Sequence, residues 1–211
     1  MTRVRALWSL VIVTCAAGCL RGALPPRELY RLVVADPAAV AATPAGPLAG
    51  TLAVEPYQTP GLYGDDYLVY RVNDAEYGTY PSREWALPLG DQLGVLTETV
   101  LRRVPVTSGA ALFDPPSRRA QTWVWRATVR EFEEVNRGSA LSAAVRIDAS
   151  LVRTADDSVV WSGSAHLERA VPSPTMTAVV GMLSTLATEA VEQLAREAAA
   201  SVARGRLTRG Q

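Results

Sequence analysis

Three runs of alternating side chains constrain the fold of this chain more than any other feature of its sequence. In the first, Trp123, Trp125, Ala127 and Val129 fall on one side of an extended backbone. In the second, Ala143, Val145, Ile147, Ala149 and Leu151 do so, and in the third, Val159, Trp161, Gly163, Ala165 and Leu167. The opposite sides carry Arg126, Arg130, Arg146, Asp148, Ser162 and His166. A period of two marks a strand with one buried and one wet face. Asn136-Arg137-Gly138 and Ala155-Asp156-Asp157 supply turn residues between the runs. The expectation is a three-stranded antiparallel meander.

The flanking segments are read around that meander. Tyr30 to Ala35, Thr51 to Glu55, Tyr67 to Val72 and Glu76 to Tyr80 are β-rich, with Asn73-Asp74 as a turn between the last two. The Ala/Pro-rich stretch 36–49 reads as a loop, as does 105–121 with its Asp114-Pro115-Pro116. From Arg83 to Arg103 the pattern becomes helical: Trp85, Leu89, Leu93, Leu96 and Val100 share a face. Pro88 fits only the first turn of such a helix, Gly90 and Gly94 weaken it modestly, and Pro105 stops it. Thr175 to Arg204 predicts a long final helix, with Met176, Val180, Leu183, Ala187, Val191, Leu194 and Ala198 as its apolar stripe. The order strands, helix, strands, helix predicts an α+β fold. Its sheet is mixed and mostly antiparallel, with two main helices on one face, a two-layer sandwich. Apolar residues make up 48% of the chain, enough for such a core.

The first 19 residues read differently. Arg3 and Arg5 precede a mostly apolar run from Ala6 to Ala16. At ~1.5 Å per residue, this run is too short to span a hydrocarbon core of about 30 Å. Small residues follow, as a signal peptidase requires. Ala16-Ala17-Gly18-Cys19 resembles the lipobox of bacterial lipoproteins, departing from it only at Ala16, where Leu is commonest. The resemblance implies a covalent diacylglycerol on Cys19, cleavage after Gly18, and acylation of the new amine by a chain such as palmitate. The other reading is an ordinary secretory signal with Cys19 incidental. Leu20 follows the cysteine where enteric inner-membrane lipoproteins carry Asp, which points to the outer membrane. The expected organisation is 1–18 signal peptide, 19–28 lipidated tether, 29–204 folded domain and 205–211 flexible tail. At ~3.3 Å per residue the tether reaches roughly 30 Å.

The chain offers little for catalysis. Formal net charge is zero, from 21 basic residues, all Arg, and 21 acidic ones. That argues against a nucleic-acid partner, which needs a basic excess. The sole histidine, His166, falls on the wet side of a strand with no second His or Cys, so no metal is expected there. Ser162-Gly163-Ser164 lacks the frame of a nucleophile elbow. Asp65-Asp66 and Asp156-Asp157 sit in turns, where Asp is favoured, although either could make a weak cation site. Glu131, Glu133 and Glu134 could include a hydrolytic pair but read more simply as a solvated strand end. Tyr57, Tyr63, Tyr67, Tyr70, Tyr77, Tyr80 and Trp85 are crowded together. They read either as a sheet edge packed on the helix start or, through Tyr57, Tyr63, Tyr67 and Trp85, as a contact for a partner or lipid.

The segment Tyr70-Arg71-Val72-Asn73-Asp74-Ala75-Glu76-Tyr77, then Trp85-Ala86-Leu87-Pro88-Leu89 and the helix after it, resembles one family. Pro60-Gly61-Leu62-Tyr63-Gly64-Asp65-Asp66-Tyr67 also resembles that family's proline-and-aromatic loop. It is the ABC-type transport auxiliary lipoproteins, the paraquat-inducible PqiC-like group, and the likeness extends over residues 29 to about 198. The resemblance implies a non-catalytic accessory lipoprotein on the outer membrane, facing the periplasm. Its implied partners are an MCE-domain protein and an ABC permease and ATPase that move phospholipid between membranes. It supplies no catalytic residue and no cofactor beyond the lipid on Cys19, and a homo-oligomeric collar would suit a ring-shaped MCE channel. Other readings are a periplasmic lipid carrier, a structural envelope lipoprotein, or a hydrolase using Glu131 or Glu134.

Overall fold

In a computed structural model of the chain, residues 26–34, 46–112 and 121–207 are described. The signal peptide, Cys19, the tether up to residue 25, most of the 36–49 loop, Asp114-Pro115-Pro116 and residues 208–211 lie outside them. The elements are β1 (Glu28–Tyr30), β2 (Leu48–Val54), β3 (Tyr67–Val72), β4 (Glu76–Trp85), α1 (Leu89–Arg103), β5 (Thr107–Leu112), β6 (Trp123–Arg137), β7 (Ala140–Arg153), β8 (Val159–Ala170) and α2 (Met176–Leu207). The eight strands form one mixed sheet.

β6 organises that sheet. Along one edge it pairs antiparallel with β7 over almost its full length, and β7 pairs antiparallel with β8. This is the expected meander. Along the other edge β6 is shared: its first half pairs in parallel with β2, its second half with β3. Only a long strand can serve two neighbours end to end on one edge. Outward from there lie β5 beside β2, and β4 and β1 beside β3.

The core fills the face beneath the helices. Trp125, Val129, Val145, Ile147 and Leu151 are buried from the strands, and Leu93, Leu96, Leu183 and Leu194 from the helices. Trp125 stacks on Trp161 with ring centroids 5.6 Å apart. The helix stripes read from the sequence are the buried ones, at roughly 1.5–3 kcal/mol for each large apolar side chain removed from water. α2 begins where Thr175 Oγ1 accepts the Ala178 amide at 3.3 Å, an N-cap that satisfies one free donor.

Several boundaries differ from the sequence expectation. The first strand is β1 at Glu28–Tyr30, not Tyr30 to Ala35, and β4 runs on from Tyr80 to Trp85. Trp85 therefore closes a strand and does not begin the helix stripe. The reason is pairing: Trp85 stands opposite Tyr30 in the β1–β4 ladder, and its amide donates to Asp66 O at 2.6 Å. The helix starts at Leu89 with Pro88 as its cap residue, because a proline disfavours helical backbone in the residue before it. Thr107–Leu112, expected as loop, is a strand held by β2. Val159, placed on the core face by alternation, is 60% exposed. A bulge shifts the register between Leu151 and Val152, so Val159 pairs with Val152 on the other face.

Candidate functional site

β6 carries the feature that alternation hides. Val129 pairs with Ile147, but the next pair is Glu131 with Arg146, so Arg130 is an extra residue in the strand. Beyond this bulge the parity is inverted. Phe132 now points to the core and meets Trp85 edge-on at 5.8 Å, while Glu131 and Glu133 point to the other face. Glu134, three residues from Glu131, points back again.

These acids are not a solvated strand end. Glu133 is wholly buried and Glu134 nearly so. Glu133 accepts the Arg71 Nε proton at 2.6 Å and a short bond from the Tyr63 hydroxyl. Arg71 stands in the neighbouring strand, which pairs directly with this part of β6. Its guanidinium also reaches Glu131 at 3.5 Å and Asp74 at 3.3 Å, and it lies over the Tyr77 ring at 5.9 Å. Glu131 continues the chain of charges to His166 at 3.3 Å and Arg146 at 3.9 Å. On the opposite face Glu134 accepts from the Tyr80 hydroxyl at 2.8 Å and the Asn136 amide at 2.7 Å. The physical reason for burial is coverage: the 3-10 turn Gly61–Gly64 brings Tyr63 over β6 beside β3.

Burial pushes the Glu133 carboxyl up, against the downward pull of Tyr63 and Arg71. Burial and the Glu133 carboxylate together push the Tyr63 phenol well above its ordinary range. Tyr80 is raised in the same way beside Glu134. A network in which each acid meets a cation or a phenol holds segments in place. Glu131 and Glu134 face opposite sides of the sheet, so they cannot flank one bond as a hydrolytic pair. Asp156 is occupied in its turn, taking the Ser158 amide at 3.1 Å and Arg153 at 3.1 Å. Among the described residues no group of three or more His, Cys, Asp or Glu could hold a metal ion.

The four aromatics singled out from the sequence separate. Tyr57 is buried, its hydroxyl 2.6 Å from Thr97 Oγ1 and its amide donating to Gly90 O at 3.1 Å. Desolvation pushes its phenol up to about 12. Trp85 is buried against Phe132. Neither ring can present a contact surface, because both are spent in the core between the sheet and α1. Tyr63, in the 3-10 turn, and Tyr67, the first residue of β3, are partly exposed. His166 is exposed, as expected, but paired with Glu131.

Two polar groups went unread in the sequence. Gln92 accepts the Leu32 amide and donates to Leu87 O, both at 2.8 Å, and Ser184 accepts the Val33 amide at 3.0 Å. They bolt residues 31–34 across α1 and α2. Their signal was a polar residue on the buried side of an otherwise apolar helix.

A mixed sheet backed by two helices is the α+β architecture that the order of elements in the sequence predicted. The family model of the ABC-type transport auxiliary lipoprotein component matches residues 30–197. The chain belongs to this family. Solved structures share the fold of this auxiliary lipoprotein. Protein XCC0632 from Xanthomonas campestris superposes with a TM-score of 0.68 at 20% identity, over 85% of this chain and 99% of that one. An uncharacterized protein superposes at 0.63 with 19% identity, over 82% and 99%. PelC from Paraburkholderia phytofirmans, a dodecamer, superposes at 0.50 with 15% identity, over 74% and 94%. At these identities the likeness is one of fold. No curated protein matches the chain. Among the described residues of this auxiliary lipoprotein, no helix is long and apolar enough to cross a membrane.

Proposed function

We propose that this auxiliary lipoprotein is a non-catalytic docking subunit of an ABC/MCE-type system that moves phospholipid between membranes. It is held on the outer membrane by lipid on Cys19 and faces the periplasm. The observation that carries the reading is the family match across residues 30–197, joined to a lipobox cysteine only seven residues before the first described one. A lipid anchor confines the domain to a thin layer, so modest affinity for a partner suffices. The loop with Tyr63 and Tyr67 is the proposed contact, and the buried Glu133–Arg71 pair holds it ready. The dodecamer of its structural neighbour PelC makes a homo-oligomeric ring a natural form for such a subunit.

A lipid carrier would need an apolar cavity. A cavity of about 650 Å³ lies on the wet side of the meander, lined by Glu55, Arg126, Thr128, Asp148, Ser150 and Ser162. It is crossed by the Arg126–Glu55 ion pair at 3.1 Å. That lining suits acyl chains poorly. The test is co-purification of the lipidated chain with an MCE-domain protein. A stoichiometric complex that Tyr63→Ala and Tyr67→Ala weaken is the expected result. A folded, lipidated chain that retains no MCE protein would refute the docking role.

A further inference from the structure

Among the described residues, three of the seven exposed large apolar side chains stand together around one cavity. Val33 is 69% exposed, Leu87 58% and Val95 41%. All three line one cavity of about 410 Å³ whose wall also includes the buried Leu32. The patch is built and not incidental: Gln92 pins Leu32 from α1, and Ser184 pins Val33 from α2. An apolar patch assembled on rigid elements marks an interaction surface.

Its position in the chain says with what. Val33 lies fourteen residues after Cys19, and Pro26, the first described residue, lies seven after it. Seven extended residues reach at most ~25 Å. The patch therefore stays within a short distance of any bilayer that holds the anchor. Arg21, Arg27 and Arg31 stand in the same stretch; Arg27 pairs with Glu84 at 3.4 Å and Glu28 with Arg83 at 3.1 Å, so the basic excess of the stretch rests on Arg21 and Arg31. A basic, apolar segment beside a lipid anchor suits an anionic bilayer surface, where apolar burial and attraction to anionic headgroups add. Asp91 on the cavity wall is the one acid there.

We infer that the face formed by Val33, Leu87 and Val95 seats against the membrane carrying the anchor, and so fixes the orientation of the domain. This rests on the lipid-anchored reading of Cys19. The anchor alone would leave the domain free to tumble on its tether. A seated face would leave the opposite side of the molecule open to the periplasm.

The test uses the full chain, expressed with its signal and lipidated, carrying one new cysteine at a time: Val33→Cys, Leu87→Cys or Val95→Cys. Ser139→Cys and Asp156→Cys, in turns at opposite ends of β7, serve as controls. Each is labelled with an environment-sensitive fluorophore and reconstituted into vesicles of phosphatidylethanolamine and phosphatidylglycerol. The expected result is a blue shift at 33, 87 and 95, with quenching by brominated lipid, and neither at 139 or 156. Patch labels that stay in water while the protein floats with the vesicles would overturn the seat and leave the anchor standing. Protein that neither floats nor carries lipid by mass would overturn the anchor and the seat with it. Labels shielded before vesicles are added also overturn it: loss of shielding on dilution identifies a second copy as the occupant, and its persistence identifies another part of this chain.

Discussion

Glu133 and Arg71 are the two residues on which the aromatic loop depends. Both are buried, and each is the other's closest charged partner at 2.6 Å. Glu133→Ala would leave the guanidinium in a dry site with only the more distant Glu131 and Asp74, and would orphan the Tyr63 hydroxyl. Removing one partner of a buried pair costs about 3–5 kcal/mol, and the remaining acids put this case near the lower end. Glu133→Gln keeps the shape and an acceptor for Tyr63, so a smaller loss in urea unfolding is expected. The acids also set the pH response, with opposite signs. Glu168 is held low by its bonds from Arg137 and Ser142, and Glu189 by Arg169. Their stabilisation is present above the unfolded carboxylate range, near 4.5, and is lost as pH falls through their lower folded values. Glu133 is raised, so its contribution is present below the unfolded value and is lost as pH rises through the folded one. Thermal midpoints should fall on acidification below about pH 5, and Glu168→Gln should flatten that limb.

Among elements, α1 shows how close packing overrules propensity. Glycine in a helix is ordinarily unfavourable, and Gly90→Ala should help by up to ~1 kcal/mol on propensity alone. Here a Cβ at Gly90 would sit 2.3 Å from Tyr57 O. The helix start lies on the backbone that leads from β2 into the aromatic loop, and Tyr57 N donates to Gly90 O at 3.1 Å. Gly90→Ala is therefore expected to destabilise by about 1–3 kcal/mol, as overpacking does. Denaturant midpoints of the single variant decide the sign. At α2 the cap is a simpler case: Thr175→Ala should cost about 1 kcal/mol by freeing the Ala178 amide.

For the molecule as a whole, folding and membrane attachment are separable. Cys19 precedes every described residue, and among those the buried core draws on none before Leu32. Cys19→Ser should therefore leave the unfolding transition of the domain unchanged while moving the protein from membrane to soluble fractions. Detergent-phase partition and circular dichroism on the same sample would measure both. A shared loss of fold and attachment would mean that the tether takes part in the core.

The meander and both helix stripes were legible in the sequence, because each is a local pattern. Periodicity reports which face of a strand or helix meets the core, whatever it meets there. What the sequence left unread was decided by pairing between distant segments. The bulge at Arg130 inverts β6, turning a run of glutamates from a wet strand end into a buried network, and only the register against β7 reveals it. Trp85 became a strand residue because β1 and Asp66 claimed its backbone, and Thr107–Leu112 became a strand because β2 lay alongside. Tyr57 and Trp85 looked like contact residues because aromatic crowding has the same composition in a core and at an interface. Backbone hydrogen bonds between segments far apart in the chain leave no local trace in side-chain order, so their register had to come from the tertiary structure.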